Sequence, residues 1–135
     1  MDDQKLNLKG SPSRDAFKQW HKTLFPWLYA CDADFILVNK NPPGIVAVLD
    51  YKTQKDHVTF SEVLAYNDFV IRGIPVYIVV GCEPFQQLEI YLYLGGNSQP
   101  EPPQVRLELI ASTNTRLEFA LWESKIRQEW QYANQ

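Results

Sequence analysis

Hydrophobic and polar positions change period along the chain. Residues 1–12 show no apolar periodicity and read as a polar N-terminal arm. Ser13 suits a helix N-cap, with Asp15 in the favourable first turn. Phe17, Trp20 and Leu24 then recur at helical spacing, so a helix is expected to about Phe25, where Pro26 stops it. Residues 34–39 and 45–50 are nearly continuous in apolar β-formers, and Asn41-Pro42-Pro43-Gly44 between them is a turn signal. They predict an antiparallel pair, with a short strand at 27–31 before it. Thr59 or Ser61 caps a helix of about a dozen residues ending at Gly73, with Phe60, Val63, Leu64, Asn67, Val70 and Ile71 on one face. Residues 75–80 read as a fully buried strand, residues 88–94 and 105–111 as two more. A last helix over about 116–132 carries Phe119, Trp122, Ile126 and Trp130 as a core stripe. The order α-β-β-β-α-β, followed by further strands and a helix, predicts a mixed sheet flanked by helices, an α/β (α+β) class in one domain over residues 13–135.

Composition narrows the function classes. The 135 residues are 45% hydrophobic and 21% charged, ordinary for a globular domain. Thirteen basic against sixteen acidic groups give a net charge of -3, which excludes a protein that coats nucleic acid by bulk charge. The asymmetry is internal: residues 1–22 hold five basic and three acidic groups, the rest eight and thirteen. Arg14, Lys18 and Lys22 form a row at i, i+4 and i+8, either a solvated helix face or a phosphate contact. Cys31 and Cys82, with no CxxC, admit a disulfide but read better as two buried free thiols in a reducing compartment. The polar start is unlike a signal peptide, and the longest apolar run, 74–82, is interrupted by Pro75 and Gly81 and is less than half a membrane span. A cytoplasmic protein without membrane contact is expected.

The chemistry gathers on the expected hairpin. Asp34 opens its first strand and Asp50-Tyr51-Lys52 closes its second, so antiparallel pairing brings the two carboxylates to one sheet edge. Asp50 and Lys52 are two apart and share a face. Carboxylates at close range repel unless a cation relieves them, and hard oxygen donors suit Mg²⁺ or Mn²⁺. Asp32 shares a strand face with Asp34 and competes for its place. Asp50 and Lys52 also admit a bland reading, a strand-end ion pair worth under about 1 kcal/mol. His57 and His21 are ambiguous. Tyr91 and Tyr93 suit packing better than base stacking.

Asp34 followed by Phe-Ile-Leu, then Val48-Leu49-Asp50-Tyr51-Lys52, resembles the PD-(D/E)XK nuclease superfamily, the restriction-endonuclease-like fold. The αβββαβ order matches that core, and residues 49–53 are similar to the RecB-type exonuclease branch, whose next helix carries QxxxY. Here Glu62 replaces the Gln, Tyr66 matches, and Ala33 replaces the Pro before Asp34. The resemblance spans about residues 13–82. It implies a Mg²⁺- or Mn²⁺-dependent nuclease hydrolysing DNA, with Asp34 and Asp50 as metal ligands and the Tyr51 carbonyl as a further one. Lys52 would orient or deprotonate water or steady the phosphate. Glu62 would hold a metal-bound water, and Tyr66 would contact a phosphate or pack. A chain this small leaves no room for a reader module, so a homodimer or a separate specificity subunit is expected. The competing class is a catalytically inactive nuclease-like scaffold that binds protein or nucleic acid.

Overall fold

A computed structural model describes residues 12–24 and 35–134, with the backbone only at Arg14 and Lys18. The chain divides into two compact units, residues 1–30 and 31–135. In the first, helix α1 (Pro12–His21) starts on a proline, which fits a first-turn position because no amide is needed there. It ends sooner than the apolar spacing predicts. The Thr23 hydroxyl donates to the Trp20 carbonyl at 2.6 Å, and the Thr23 amide donates to it at 3.0 Å, so that acceptor is drawn into a turn. Phe17 and Trp20 hold their rings 5.7 Å apart and are exposed.

The second unit is a five-stranded mixed sheet with helices on both faces. In chain order it contains β1 (Phe35–Asn39), β2 (Gly44–Lys52), α2 (Phe60–Ile71), β3 (Val76–Val80), β4 (Leu88–Asn97), β5 (Gln104–Thr113) and α3 (Arg116–Ala133). The spatial order of strands follows the sequence. Neighbours are antiparallel except β2 and β3, which run parallel and need the α2 crossover to do so. Alternation sorts the side chains. Val48, Ile78, Tyr91 and Tyr93 meet Val63 and Tyr66 of α2 on one face. Leu49, Val79, Leu88 and Ile90 meet Phe119 and Trp122 of α3 on the other. The buried run Val46–Asp50 in β2 is therefore covered from both sides.

The helix ends are chemically closed. Thr59 and Glu62 form a reciprocal capping box at the start of α2, and Thr115 and Glu118 form another at the start of α3. At the end of α2, Gly73 adopts φ 81° and its amide donates to Val70 O, while the Ile74 amide donates to Phe69 O. That double closure requires a left-handed residue, which glycine supplies without steric cost. Arg127 of α3 donates to Asn39 Oδ1 at 2.7 Å, and Asn39 donates to Pro42 O, which anchors the β1–β2 turn.

Three expectations change. The buried face of α2 consists of Glu62, Val63 and Tyr66, whereas Phe60, Leu64, Val70 and Ile71 are exposed. Polar partners on the sheet, rather than apolar periodicity, select that face. Cys82, expected inside, is an exposed thiol, because it lies in the loop beyond the last buried residue of β3. The sheet strands keep their expected places, although β4 and β5 are longer than the apolar runs suggest. The arm at residues 1–11, the strand at 27–31, Cys31, Asp32 and Asp34 lie outside the described residues. Among the described residues, no helix is long and apolar enough to cross a membrane.

Candidate active site

β2 carries Asp50 and Lys52 to the α2 face of the sheet at the end of its parallel ladder with β3. Asp50 pairs with Ile78, and Lys52 with Val80, the last residue of β3. The C-terminal ends of parallel strands and the N-terminus of the crossover helix meet here, which is where open α/β sheets bind ligands. Asp50 is 1% exposed. The Lys52 ammonium lies 3.4 Å from Asp50 Oδ2 and donates to both Glu62 oxygens, at 2.8 and 3.0 Å. Glu62 reaches it from the first turn of α2, at the position its capping role fixes. One helical turn later, the Tyr66 hydroxyl donates to Asp50 Oδ2 at 2.7 Å. Two carboxylates, one ammonium and one phenol thus form a continuous, largely buried network.

Its electrostatics follow from that geometry. Burial alone lowers the Lys52 pKa, but the hydrogen bond to Glu62 and the charges of Asp50 and Glu62 outweigh it, so the net shift is upward. Lys52 is accordingly an ammonium at neutral pH. Asp50 and Glu62 are hard oxygen donors converging on one cation, the donor chemistry a Mg²⁺ or Mn²⁺ ion also uses. Among the described residues no group of three or more His, Cys, Asp or Glu side chains is arranged to hold a metal.

Of the residues singled out from the sequence, Asp50, Lys52 and Glu62 come together, and Asp34 lies outside the described residues. Tyr66 is in the network but has no exposed surface, so it is not placed to contact a phosphate and instead holds Asp50. Lys22 is exposed on the separate unit that contains α1, and the side chains of Arg14 and Lys18 are outside the described set. His57 is exposed in the β2–α2 loop. Tyr91 and Tyr93 are buried, and Trp122 and Trp130 pack beneath α3 around Ile126.

Other contacts had no sequence signal. Asn67 accepts the Tyr93 hydroxyl at 2.7 Å and the Gly96 amide at 3.1 Å, and donates to Gly96 O at 3.0 Å, clamping α2 to β4. Burial lifts the Tyr93 hydroxyl to about 12, although Arg106 pulls it the other way. Lys55 sits 5.8 Å from the centre of the Tyr91 ring, whose hydroxyl donates to Glu89. On the opposite face Tyr51 donates to Gly81 O at 2.9 Å and meets the Phe85 ring edge-on. The pattern placed Tyr51 across the sheet from Lys52 but gave no hint of its partners.

No family model matches the chain, and neither a curated protein nor a solved structure is similar enough to match it.

Proposed function

We propose that the chain is a metal-dependent nuclease of the PD-(D/E)XK type that hydrolyses DNA phosphodiester bonds. The observation that carries this reading is the convergence of Asp50, Lys52 and Glu62 at the end of the parallel strands, where a surface ion pair has no reason to be buried. The strand–strand–helix–strand run of β1, β2, α2 and β3, with its single parallel pair, is compatible with the restriction-endonuclease-like core.

Asp50 and Asp34 would hold a Mg²⁺ or Mn²⁺ ion, and Glu62 a water bound to it. When bound, such an ion offsets charge growing on the phosphate oxygens and lowers the pKa of a water. The protein's own groups do the rest. Tyr66 fixes the rotamer of Asp50 by donating to its Oδ2. Lys52 is a cation rather than a base here, so its part is to steady negative charge on the substrate phosphate. One such site cuts one strand, so cleavage of both strands calls for a second copy or a partner subunit.

The inactive-scaffold reading draws on one feature: Lys52 is already satisfied by both carboxylates, so the network is complete as a structural element. Incubation with plasmid and linear DNA separates the two. Cleavage is expected with Mg²⁺ or Mn²⁺, none with EDTA, and a loss of about a hundredfold or more in Asp50→Asn and Lys52→Met. Mn²⁺ should also raise the melting temperature of the wild type and not of Asp50→Asn. Cleavage that survives in both folded variants overturns the assignment. Absence of cleavage and of the Mn²⁺ shift favours the scaffold.

A further inference from the structure

β5 is the last strand of the sheet, and among the described residues nothing pairs with its outer edge. It is ten residues long. A bare row of amides and carbonyls is a template for another strand, and native edges are commonly blunted by Pro, by Lys or by extreme shortness. Residues 104–113 contain neither Pro nor Lys. Ile90 pairs with Ala111 and Tyr91 with Leu109, so Ile110 is an extra residue that bulges the strand. From Gln104 to Leu109 no residue is skipped, and this stretch forms the regular part of the edge.

Its side chains carry a pattern that fits itself. Val105 and Leu107 pack only partly against the core under α2, and Leu109 is 50% exposed. Arg106 and Glu108 lie between them, two apart and therefore on one face of the strand, and both are exposed. Among the described residues neither belongs to an ion pair. Arg106 donates to the Leu94 carbonyl at a long 3.4 Å, and Asp56, which lines an open cleft with Arg106, does not pair with it.

Two copies of one edge strand pair antiparallel about a two-fold axis perpendicular to the sheet. Residues opposite each other in such a ladder point to the same face, so their numbers differ by an even count and the axis passes through a residue. An axis at Arg106 sets that cation against its own copy, and an axis at Glu108 does the same with the carboxylate. Axes at Val105 and Leu109 leave both charges without a partner. At Leu107 alone, Arg106 of one copy faces Glu108 of the other, twice, while Leu107 faces Leu107 and Val105 faces Leu109.

We propose that the chain forms a homodimer by antiparallel pairing of β5 with β5 of a second copy, centred on Leu107, which joins the two five-stranded sheets into one. Main-chain hydrogen bonds hold the strands, and the two ion pairs set the register. The axis brings both α2 faces, and with them both Asp50–Lys52–Glu62 networks, to the same side of the joined sheet. The pairing does not depend on the nuclease reading.

Sedimentation equilibrium of the full chain at low salt is the test. The wild type should reach a dimer as concentration rises. Arg106→Glu and Glu108→Arg each turn both attractive pairs into repulsive ones and should weaken the dimer about tenfold or more. The double variant Arg106→Glu/Glu108→Arg re-forms both pairs and should dimerise like the wild type. An equimolar mixture of the two single variants should give heterodimers, since each copy then offers the charge the other lacks; that recovery also shows both variants to be folded. A wild type that stays monomeric, a dimer that keeps its strength in either single variant, or a mixture that remains monomeric overturns the proposal.

Discussion

The Tyr66 hydroxyl and the Lys52 ammonium meet the same oxygen: Oδ2 of Asp50 receives the phenol at 2.7 Å and lies 3.4 Å from the amine. A carboxylate that is 1% exposed needs such partners, because an unpaired buried charge is costly. Phenol and ammonium act differently, however. The phenol fixes orientation and carries no charge, whereas the ammonium balances charge and sits nearer solvent.

Tyr66→Phe separates the two contributions. The ring still fills its place against Tyr93, 5.7 Å away, but Asp50 loses a donor. A hydrogen bond to a charged group contributes about 1.5–3 kcal/mol, so urea unfolding should shift by about 2 kcal/mol with an unchanged slope. An unshifted midpoint would show that the bond contributes nothing to stability.

Glu62 has two duties that substitution can divide. Gln at that position retains the capping box but loses the charge facing Lys52, and Ala loses both. Glu62→Gln is expected to cost about 2 kcal/mol through the weakened, largely buried pair, and Glu62→Ala about 1 kcal/mol more through the cap. Equal losses in the two variants, measured by thermal or urea unfolding, would show that only the ion pair matters.

Asn67 uses its amide three times between α2 and β4. Asn67→Ala strands the Gly96 amide and the Tyr93 hydroxyl, for an expected loss of about 3 kcal/mol. Hydrogen exchange at Gly96 should accelerate more than at β2 amides. Uniform acceleration along the sheet would indicate global rather than local opening.

Alkaline pH should weaken the fold in a defined window. Lys52 is raised above 10.5 by partners that outweigh burial, and Tyr93 is raised from 10.0 to about 12 by burial. Tyr77 moves upward as well, through burial and then the Glu129 charge. A folded-state pKa above the unfolded one gives stability that is complete below the unfolded value and is lost as pH rises through the folded one. Stability contributed by these groups should thus be level up to about pH 10 and fall toward pH 12. Urea midpoints across that range, with tyrosinate absorbance followed in parallel, provide the measurement; a midpoint that rises over the window contradicts these shifts.

The pieces that local rules govern were legible in the sequence. The turn residues 41–44 located the β1–β2 pair, the two-residue spacing of Asp50 and Lys52 put them on one face, and the cap candidates Thr59 and Ser61 bracketed the start of α2, of which Thr59 is the cap. The α2 face was legible only in part. Of the expected face, Val63 and Asn67 do meet the sheet, but Phe60, Leu64, Val70 and Ile71 are exposed, because the sheet offers Lys52 and Asp50 as polar partners and these draw Glu62 and Tyr66 inward. Tertiary pairing overrides periodicity wherever buried polar groups must be satisfied. The Tyr51–Phe85 contact was hidden for a related reason. It joins the end of β2 to the β3–β4 loop, and a left-handed phenylalanine has no compositional mark.

Oxygen Oε1 of Glu62 accepts from both the Thr59 amide, at 2.9 Å, and the Lys52 ammonium. The first turn of α2 is thereby wired to the charge it faces: whatever draws the lysine head away alters the electron density around a backbone proton three residues upstream. That proton is a built-in reporter, visible in a nitrogen–proton correlation spectrum without any label near the network, and its resonance should move whenever an anion or a metal ion reaches Lys52.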